Sequence, residues 1–115
     1  MAEKINTAPG TSPTADERLP MVMTILEAHV KPEHWGTLEQ AYRAGAGHLP
    51  SQMIQTFLIH SPDDPTLWRI VSVWKSREAL GEYRRSVETP GGILMFRSVG
   101  AEPTLSLFEI TAHAP

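Results

Sequence analysis

The amino-acid sequence predicts one small α+β domain whose elements follow the order β-α-β-β-α-β. Segments rich in β-branched and aromatic residues alternate with segments whose apolar residues recur every three or four positions, and turn-forming clusters separate them. With 115 residues, of which 41% are hydrophobic and 20% charged, the chain has room for a single thin core. Burying further surface against a second copy would stabilise so small a domain, and we therefore expect an oligomer.

The first 20 residues differ in composition from the rest. They contain Pro9, Gly10, Pro13 and Pro20 and few apolar side chains that could anchor them to a core. This composition is typical of a flexible tail. We therefore assign residues 1–20 to an N-terminal tail and residues 21–115 to the folded domain.

The first strand and helix are predicted in residues 21–46. Residues 21–30 (MVMTILEAHV) are apolar at both alternating sets of positions, which favours a strand covered on two sides. Pro32 and Glu33 then suit the first turn of a helix, because proline has the required φ and the glutamate complements the helix dipole. The apolar positions of this helix fall on one face, and they are Trp35, Leu38, Ala41, Tyr42 and Gly45.

A hairpin and a second helix follow. Residues 51–60 and 66–75 are rich in β-formers, and the Pro- and Asp-containing cluster at 61–65 lies between them as a turn. Ser76 is placed to cap the next helix. Its inward stripe consists of Ala79, Leu80, Tyr83 and Val87.

The end of the chain completes the pattern. Residues 89–92 (TPGG) stop the second helix, residues 93–99 form a short helical turn, and residues 103–111 form the last strand. The resulting order is that of the ferredoxin-like fold, with a four-stranded antiparallel sheet that carries both helices on one face. The other face, which bears Arg69, Val71 and Val73, is also mostly apolar and predicts a homodimer formed through it.

Composition excludes several classes of function. A net charge of -3 and the acidic residues interleaved with Arg84 and Arg85 argue against nucleic-acid binding. The absence of cysteine suits a reducing cytoplasm, and no run of about 20 apolar residues predicts a membrane span. No metal-ligand spacing and no phosphate-binding glycine loop is present.

Residues 67–96 (LWRIVSVWKSREALGEYRRSVETPGGILMF) carry a resemblance to a known family. A strand that ends in Trp-Lys-Ser at 74–76 is followed by Glu-Ala-Leu at 78–80, which opens a helix. This signature resembles that of the antibiotic biosynthesis monooxygenase family, within the dimeric α+β barrel superfamily, and the likeness covers residues 21–111. It implies a dimer whose two sheets form a closed barrel, with a mostly apolar pocket in each subunit between sheet and helices.

The resemblance also implies a choice between two chemistries. Members of this family include cofactor-independent oxygenases of phenols or quinols and heme-degrading monooxygenases. Heme degradation looks to require an asparagine near the first strand and a histidine soon after the second helix. The only asparagine here is Asn6, and no histidine lies between His60 and His113. We therefore expect neither heme nor any other cofactor.

The candidate catalytic residues are Tyr83, His29 and Trp74. Tyr83 could present a phenol group, His29, or alternatively His60, could act as a base near neutral pH, and the resemblance places Trp74 toward the helices. The predicted ligand pocket consists of Trp68, Ser72, Trp74, Tyr42, Tyr83, Met95 and Phe96. The alternative is that these aromatic rings only fill the core and that His29 is a surface residue at the end of its strand.

Two further polar residues have structural interpretations. Glu27 lies on an otherwise apolar strand, so it is either a base or the ionic partner of Arg69 or Lys75. His48 is expected to be solvated.

Three functions remain open on these grounds. The first is a small-molecule monooxygenase that acts on an aromatic or polyketide-like substrate without a prosthetic group. The second is a non-catalytic dimeric barrel that binds a hydrophobic metabolite. The third is a structural dimer with a collapsed pocket, which the volume of the space between sheet and helices would test.

Overall fold

A computed structural model describes residues 20–115, so the predicted tail lies outside the described residues except for Pro20. The strands are β1 (Val22–His29), β2 (Met53–His60), β3 (Leu67–Trp74) and β4 (Thr104–Glu109). The helices are a 3-10 turn (Pro32–His34), α1 (Trp35–Ala46), α2 (Arg77–Ser86) and α3 (Gly91–Arg97). No helix in this part of the chain is long and apolar enough to cross a membrane.

The four strands form one antiparallel sheet in the order β2-β3-β1-β4. This order confirms the predicted ferredoxin-like fold. The sheet is open, with β2 and β4 at its edges, and β1 and β3 lie next to each other in the centre. A β-bulge between Met53 and Gln55 interrupts the pairing of β2 with β3.

The pairing of β1 with β3 divides the sheet into two faces. Val22 lies opposite Trp74, and the register continues without a break to His29 opposite Leu67. Because side chains alternate along a strand, the even-numbered residues of both strands share one face. In β1 the even-numbered residues are buried, whereas the odd-numbered ones are partly or fully exposed. The helices cover the even-numbered side, which we call the helix face, and the opposite side is the outer face.

The core on the helix face consists of two clusters. The larger cluster is centred on Trp68, Phe96 and Leu38, and it packs α1 and α3 against the sheet. The smaller cluster contains Trp74 and Leu80 and holds α2. The two clusters lie toward opposite ends of β3.

Two glycines permit the close approach of α3. A Cβ atom at Gly92 would lie 2.6 Å from Cδ1 of Leu26, and one at Gly45 of α1 would overlap the end of the Met95 side chain. The sequence pattern assigned Gly91 and Gly92 to the turn that ends α2, but they form the first turn of α3 instead. The contact with the sheet, rather than a need for a turn, accounts for glycine at position 92.

The cap of α2 generates a stability prediction. Ser76 is fully buried, and its Oγ accepts a hydrogen bond of 3.0 Å from the backbone N–H of Ala79. We expect Ser76→Ala to lower the free energy of unfolding by about 1 kcal/mol, as the loss of an N-cap does. Ser86→Ala at the exposed end of the same helix should change it by less than about 0.5 kcal/mol. Denaturant unfolding measures both, and equal effects would contradict the capping role.

Candidate functional site

A cavity of about 240 Å³ lies between the helix face and the helices. Because a water molecule occupies about 30 Å³ of liquid and a cavity of roughly 150 Å³ takes benzene, this space is large enough for a small aromatic ligand. The pocket is therefore not collapsed. Its sheet wall is formed by Thr24, Leu26, Met53, Thr56, Ile70, Ser72, Trp74 and Leu105.

The helices and one loop complete the lining. The loop between α1 and β2 contributes the segment 48–50, and the turn between α2 and α3 contributes Pro90. The principal side chains on the helices are Tyr42, Leu80, Tyr83, Arg84, Ile93 and Met95. The walls are mostly apolar, with a few hydroxyl groups.

Trp74 is a fixed part of the wall. Its indole Nε1 donates a hydrogen bond of 2.9 Å to Oγ1 of Thr24, the residue two positions along β1 from its register partner. The ring is 4% exposed, and its centroid lies 5.0 Å from that of Tyr83 at an interplanar angle of 37°. The indole N–H is thus satisfied within the protein, and the ring offers the cavity an apolar aromatic surface.

Tyr83 combines a structural role with an available proton. Its hydroxyl oxygen accepts a hydrogen bond of 3.0 Å from the backbone N–H of Gly91. That N–H belongs to the first turn of α3, where backbone donors have no partner within the helix. Because the oxygen acts here as an acceptor, its own O–H can donate to another group.

A pair of hydroxyl groups lies on the sheet wall. Oγ1 of Thr56 and Oγ of Ser72, which are register partners, are 3.2 Å apart, and either one can be the donor. Since the pair contains two hydroxyl protons and uses only one between its members, the other proton has no fixed acceptor in this contact.

The structure brings together five of the seven predicted pocket residues: Ser72, Trp74, Tyr42, Tyr83 and Met95 all line the cavity. Trp68 and Phe96 do not, and both are buried in the larger core cluster. Trp68 shares a strand face with Trp74, but six residues of strand separate them by about 20 Å at roughly 3.3 Å per residue. Phe96 follows Met95 on a helix, where adjacent side chains point in different directions.

Trp68 belongs to an aromatic group at the far end of the helix face. Its ring centroid is 4.5 Å from that of His60 and 5.9 Å from that of Trp35. The Nε1 atom of Trp68 is buried without a hydrogen-bond partner among the described residues. Trp68 packs in the larger core cluster, and together with His60 it also lines a second opening of about 340 Å³ between β2 and α1.

His29 lies away from the cavity. It is exposed, it shares the outer face with Glu27, and its Nδ1 is 3.0 Å from Oγ1 of Thr66. This is the surface alternative that the sequence left open. Glu27 is paired with Arg69, whose Nε lies 2.6 Å from Oε1.

Two cavity residues have no distinctive signal in the sequence. His48, which was expected to be solvated, lines the cavity from the loop after α1, and Arg84 lines it from α2. Both also have exposed surface, so they lie at the mouth. Only the path of the loop and the rotation of α2 bring them there. Residues 20–115 contain no group of three side chains suited to bind a metal ion.

Fold and cavity together define a ferredoxin-like α+β domain with an apolar pocket between sheet and helices. Residues 21–89 match the model of the antibiotic biosynthesis monooxygenase family, and the chain belongs to that family. No curated protein is similar enough in sequence to count as a match.

Solved structures share the fold at low sequence identity. A conserved protein from Methanosarcina mazei Go1 has a TM-score of 0.63 at 12% identity and covers 78% of this chain and 92% of its own. A protein of unknown function from Bacteroides thetaiotaomicron has a TM-score of 0.62 at 19% identity, and the match covers 79% of this chain and 98% of that protein. SnoaB, a cofactor-independent oxygenase from Streptomyces nogalater, has a TM-score of 0.60 at 17% identity, and the match covers 84% of this chain and 98% of SnoaB.

The contact between Trp74 and Thr24 generates the second prediction. Thr24→Val keeps the side-chain shape but removes the acceptor of a buried N–H, so we expect a loss of about 1–3 kcal/mol in the free energy of unfolding. In a Trp74→Phe background, where no N–H is left unpaired, the same substitution should cost much less. Thr37→Val, on the exposed side of α1, serves as the surface control. Equal losses in both backgrounds would show that the hydrogen bond is not the cause.

Proposed function

We propose that this protein is a small-molecule monooxygenase that acts on an aromatic or polyketide-like substrate, bound in the cavity, without a prosthetic group. The observation that carries the proposal is an apolar space of about 240 Å³ with an indole ring and a phenol hydroxyl at its wall. Membership of the monooxygenase family and the shared fold of the cofactor-independent oxygenase SnoaB support it.

The chemistry requires little of the protein because the substrate supplies the electrons. A phenol whose keto tautomer carries an acidic CH₂ group loses a proton, and the resulting anion, whose charge is shared between its oxygen and that carbon, reduces O₂. One oxygen atom becomes the carbonyl that replaces the CH₂ group, and the second leaves as water with the two hydrogens. The protein has to bind the ring, exclude water and stabilise negative charge on a substrate oxygen.

The cavity residues suit these tasks in different ways. Trp74 offers a flat surface for an aromatic ring. The O–H of Tyr83, which is free to donate, would hydrogen-bond to the substrate oxygen that becomes negative. His48 at the mouth is the histidine that lines the cavity, and we assign it the role of base in place of His29.

A non-catalytic binding function is the second candidate. One observation favours it: no aspartate or glutamate in residues 20–115 lines the cavity, so the described walls offer no carboxylate that could act as the base. Oxygen uptake with bound phenols or quinols distinguishes the two functions, because a binding protein would take up no oxygen. As a chain without cysteine, either protein would suit the cytoplasm, which is the compartment we propose.

Turnover gives the third prediction. With a phenol or quinol that the wild type oxidises, Tyr83→Phe should lower kcat by about a hundredfold, as the loss of an oxyanion donor does. His48→Gln should also lower it, whereas the exposed His113→Gln should not. Oxygen uptake and incorporation of labelled O₂ into the product measure the effect.

Tyr83→Phe needs a stability control because it also removes the acceptor for the N–H of Gly91. We expect a loss of about 1 kcal/mol, which corresponds to a Tm lower by roughly 4–8 °C in a domain of this size. Assays are therefore run well below the new Tm. Unchanged turnover in Tyr83→Phe would refute the catalytic role of its hydroxyl.

We also propose a homodimer formed through the outer face of the sheet, the side that bears Arg69, Val71 and Val73. Phe57, Val71 and Ile25 form a continuous apolar row across β2, β3 and β1. Phe57 is 45% exposed, and Ile59 and Phe108 on the same face are also exposed. A second copy would remove this surface from water, and the family resemblance implies the same arrangement.

The dimer gives the fourth prediction. Light scattering should find twice the chain mass of 12.7 kDa at micromolar concentration. Phe57→Glu should shift the protein toward monomer, because the interface would bury an unpaired carboxylate. Leu94→Glu is the matched control, since Leu94 is 53% exposed on α3 and away from the sheet face. A monomeric wild type would overturn the proposal.

A further inference from the structure

Among the described residues, the side chains that line the cavity include a basic one and no acidic one. Arg84 contributes a full positive charge to this space. The whole chain, by contrast, has a net charge of -3. The positive charge at the cavity is therefore a local feature rather than a reflection of overall composition.

Arg84 differs from the two arginines that form ion pairs within residues 20–115, Arg69 and Arg97. Arg69 is held by Glu27, and Arg97 makes two hydrogen bonds of 3.0 Å to the carboxylate of Glu102. The hydrogen bond from Arg97 lowers the pKa of Glu102. Arg84 forms no such ion pair with any residue in 20–115. Among the described residues, its guanidinium group therefore has no carboxylate that would compete with an anionic ligand of the cavity.

The adjacent arginine provides an internal comparison. Arg85 is next to Arg84 on α2, yet it does not line the cavity. Its Nη1 lies 3.2 Å from the position that a Cβ atom at Gly81 would occupy, so this side chain runs back over its own helix. The two residues have the same charge and nearly the same place in the sequence, but only one of them faces the cavity.

We propose that the ligand of the cavity is anionic: a compact aromatic compound whose ring lies against Trp74 and whose oxyanion, conjugated with the ring, pairs with Arg84. This inference rests on the proposed function of the cavity and specifies its substrate class. A guanidinium group beside an apolar wall suits such a ligand, because it donates two parallel hydrogen bonds and is weakly hydrated. Arg84 is thus a specificity-determining residue.

The cavity volume sets the size of the probe. A cavity of roughly 150 Å³ takes benzene, so a space of about 240 Å³ takes about two fused rings. We choose 2-naphthoate, which is ionised at neutral pH, and 2-naphthalenemethanol, which has nearly the same shape without the charge. Isothermal titration calorimetry in low salt compares their dissociation constants in the full-length protein.

The expected result is a preference for the anion that depends on one arginine. The wild type should bind 2-naphthoate about tenfold more tightly than the alcohol, and added salt should reduce the ratio because Arg84 is partly exposed. Arg84→Gln should lower the ratio to about one, whereas Arg85→Gln should leave it close to the wild-type value. Both substitutions are on the helix surface, and thermal melting checks that the variants remain folded.

Each contrary outcome has a separate meaning. Equal affinity of the wild type for the two probes would overturn the anionic ligand but leave the cavity as a binding site. Equal loss in Arg84→Gln and Arg85→Gln would show a general effect of charge and overturn the contact with Arg84. No binding of either probe would contradict the proposed function itself, and the inference with it.

Discussion

The unbroken pairing of β1 with β3 is the constraint on which the rest of the structure depends. These strands occupy the centre of the sheet, so their alternation decides which side chains meet the helices and which lie on the outer face. A slip by one residue would exchange the two sets. It would move Trp74 and Thr24 out of the cavity and place Val71 and Ile25 in it. The site and the proposed dimer surface are therefore two results of one register.

The two ends of the helix face are packed differently. At one end Trp68, His60 and Trp35 pack their rings together, and the opening beside them, which Trp68 and His60 line, lies between β2 and α1. Near the middle, the glycine at position 92 allows α3 to pack closely against Leu26. At the other end Trp74 contacts Thr24 and Tyr83. Helix α2 covers a space there that no large side chain fills. The cavity therefore lies at this end of the helix face, and the packed rings of Trp74 and Tyr83 form part of its wall.

The sequence predicted the elements, their order and the two faces, because these depend on local patterns with a period of two or near 3.6 residues. It also predicted the cap at Ser76, and it left Arg69 and Lys75 as alternative ionic partners of Glu27, of which the structure shows Arg69. It did not separate Trp68 from Trp74, because alternation gives the face of a residue but not its distance along the strand. His48 was missed for a different reason, since a loop has no periodicity from which its path could be derived.

The polar groups of the cavity are matched to negative charge rather than to proton abstraction. Oγ1 of Thr24 accepts from Trp74, and the hydroxyl oxygen of Tyr83 accepts from Gly91, so each group has its own proton left to donate. Arg84 adds a third donor, and no carboxylate lines the described walls to compete with a ligand for these protons. Such a site stabilises an oxyanion as it forms or binds one already present. A substrate acidic enough to be ionised near neutral pH would need little help from a base, and the weak complement of bases in this cavity is then consistent with oxygenation as well as with binding.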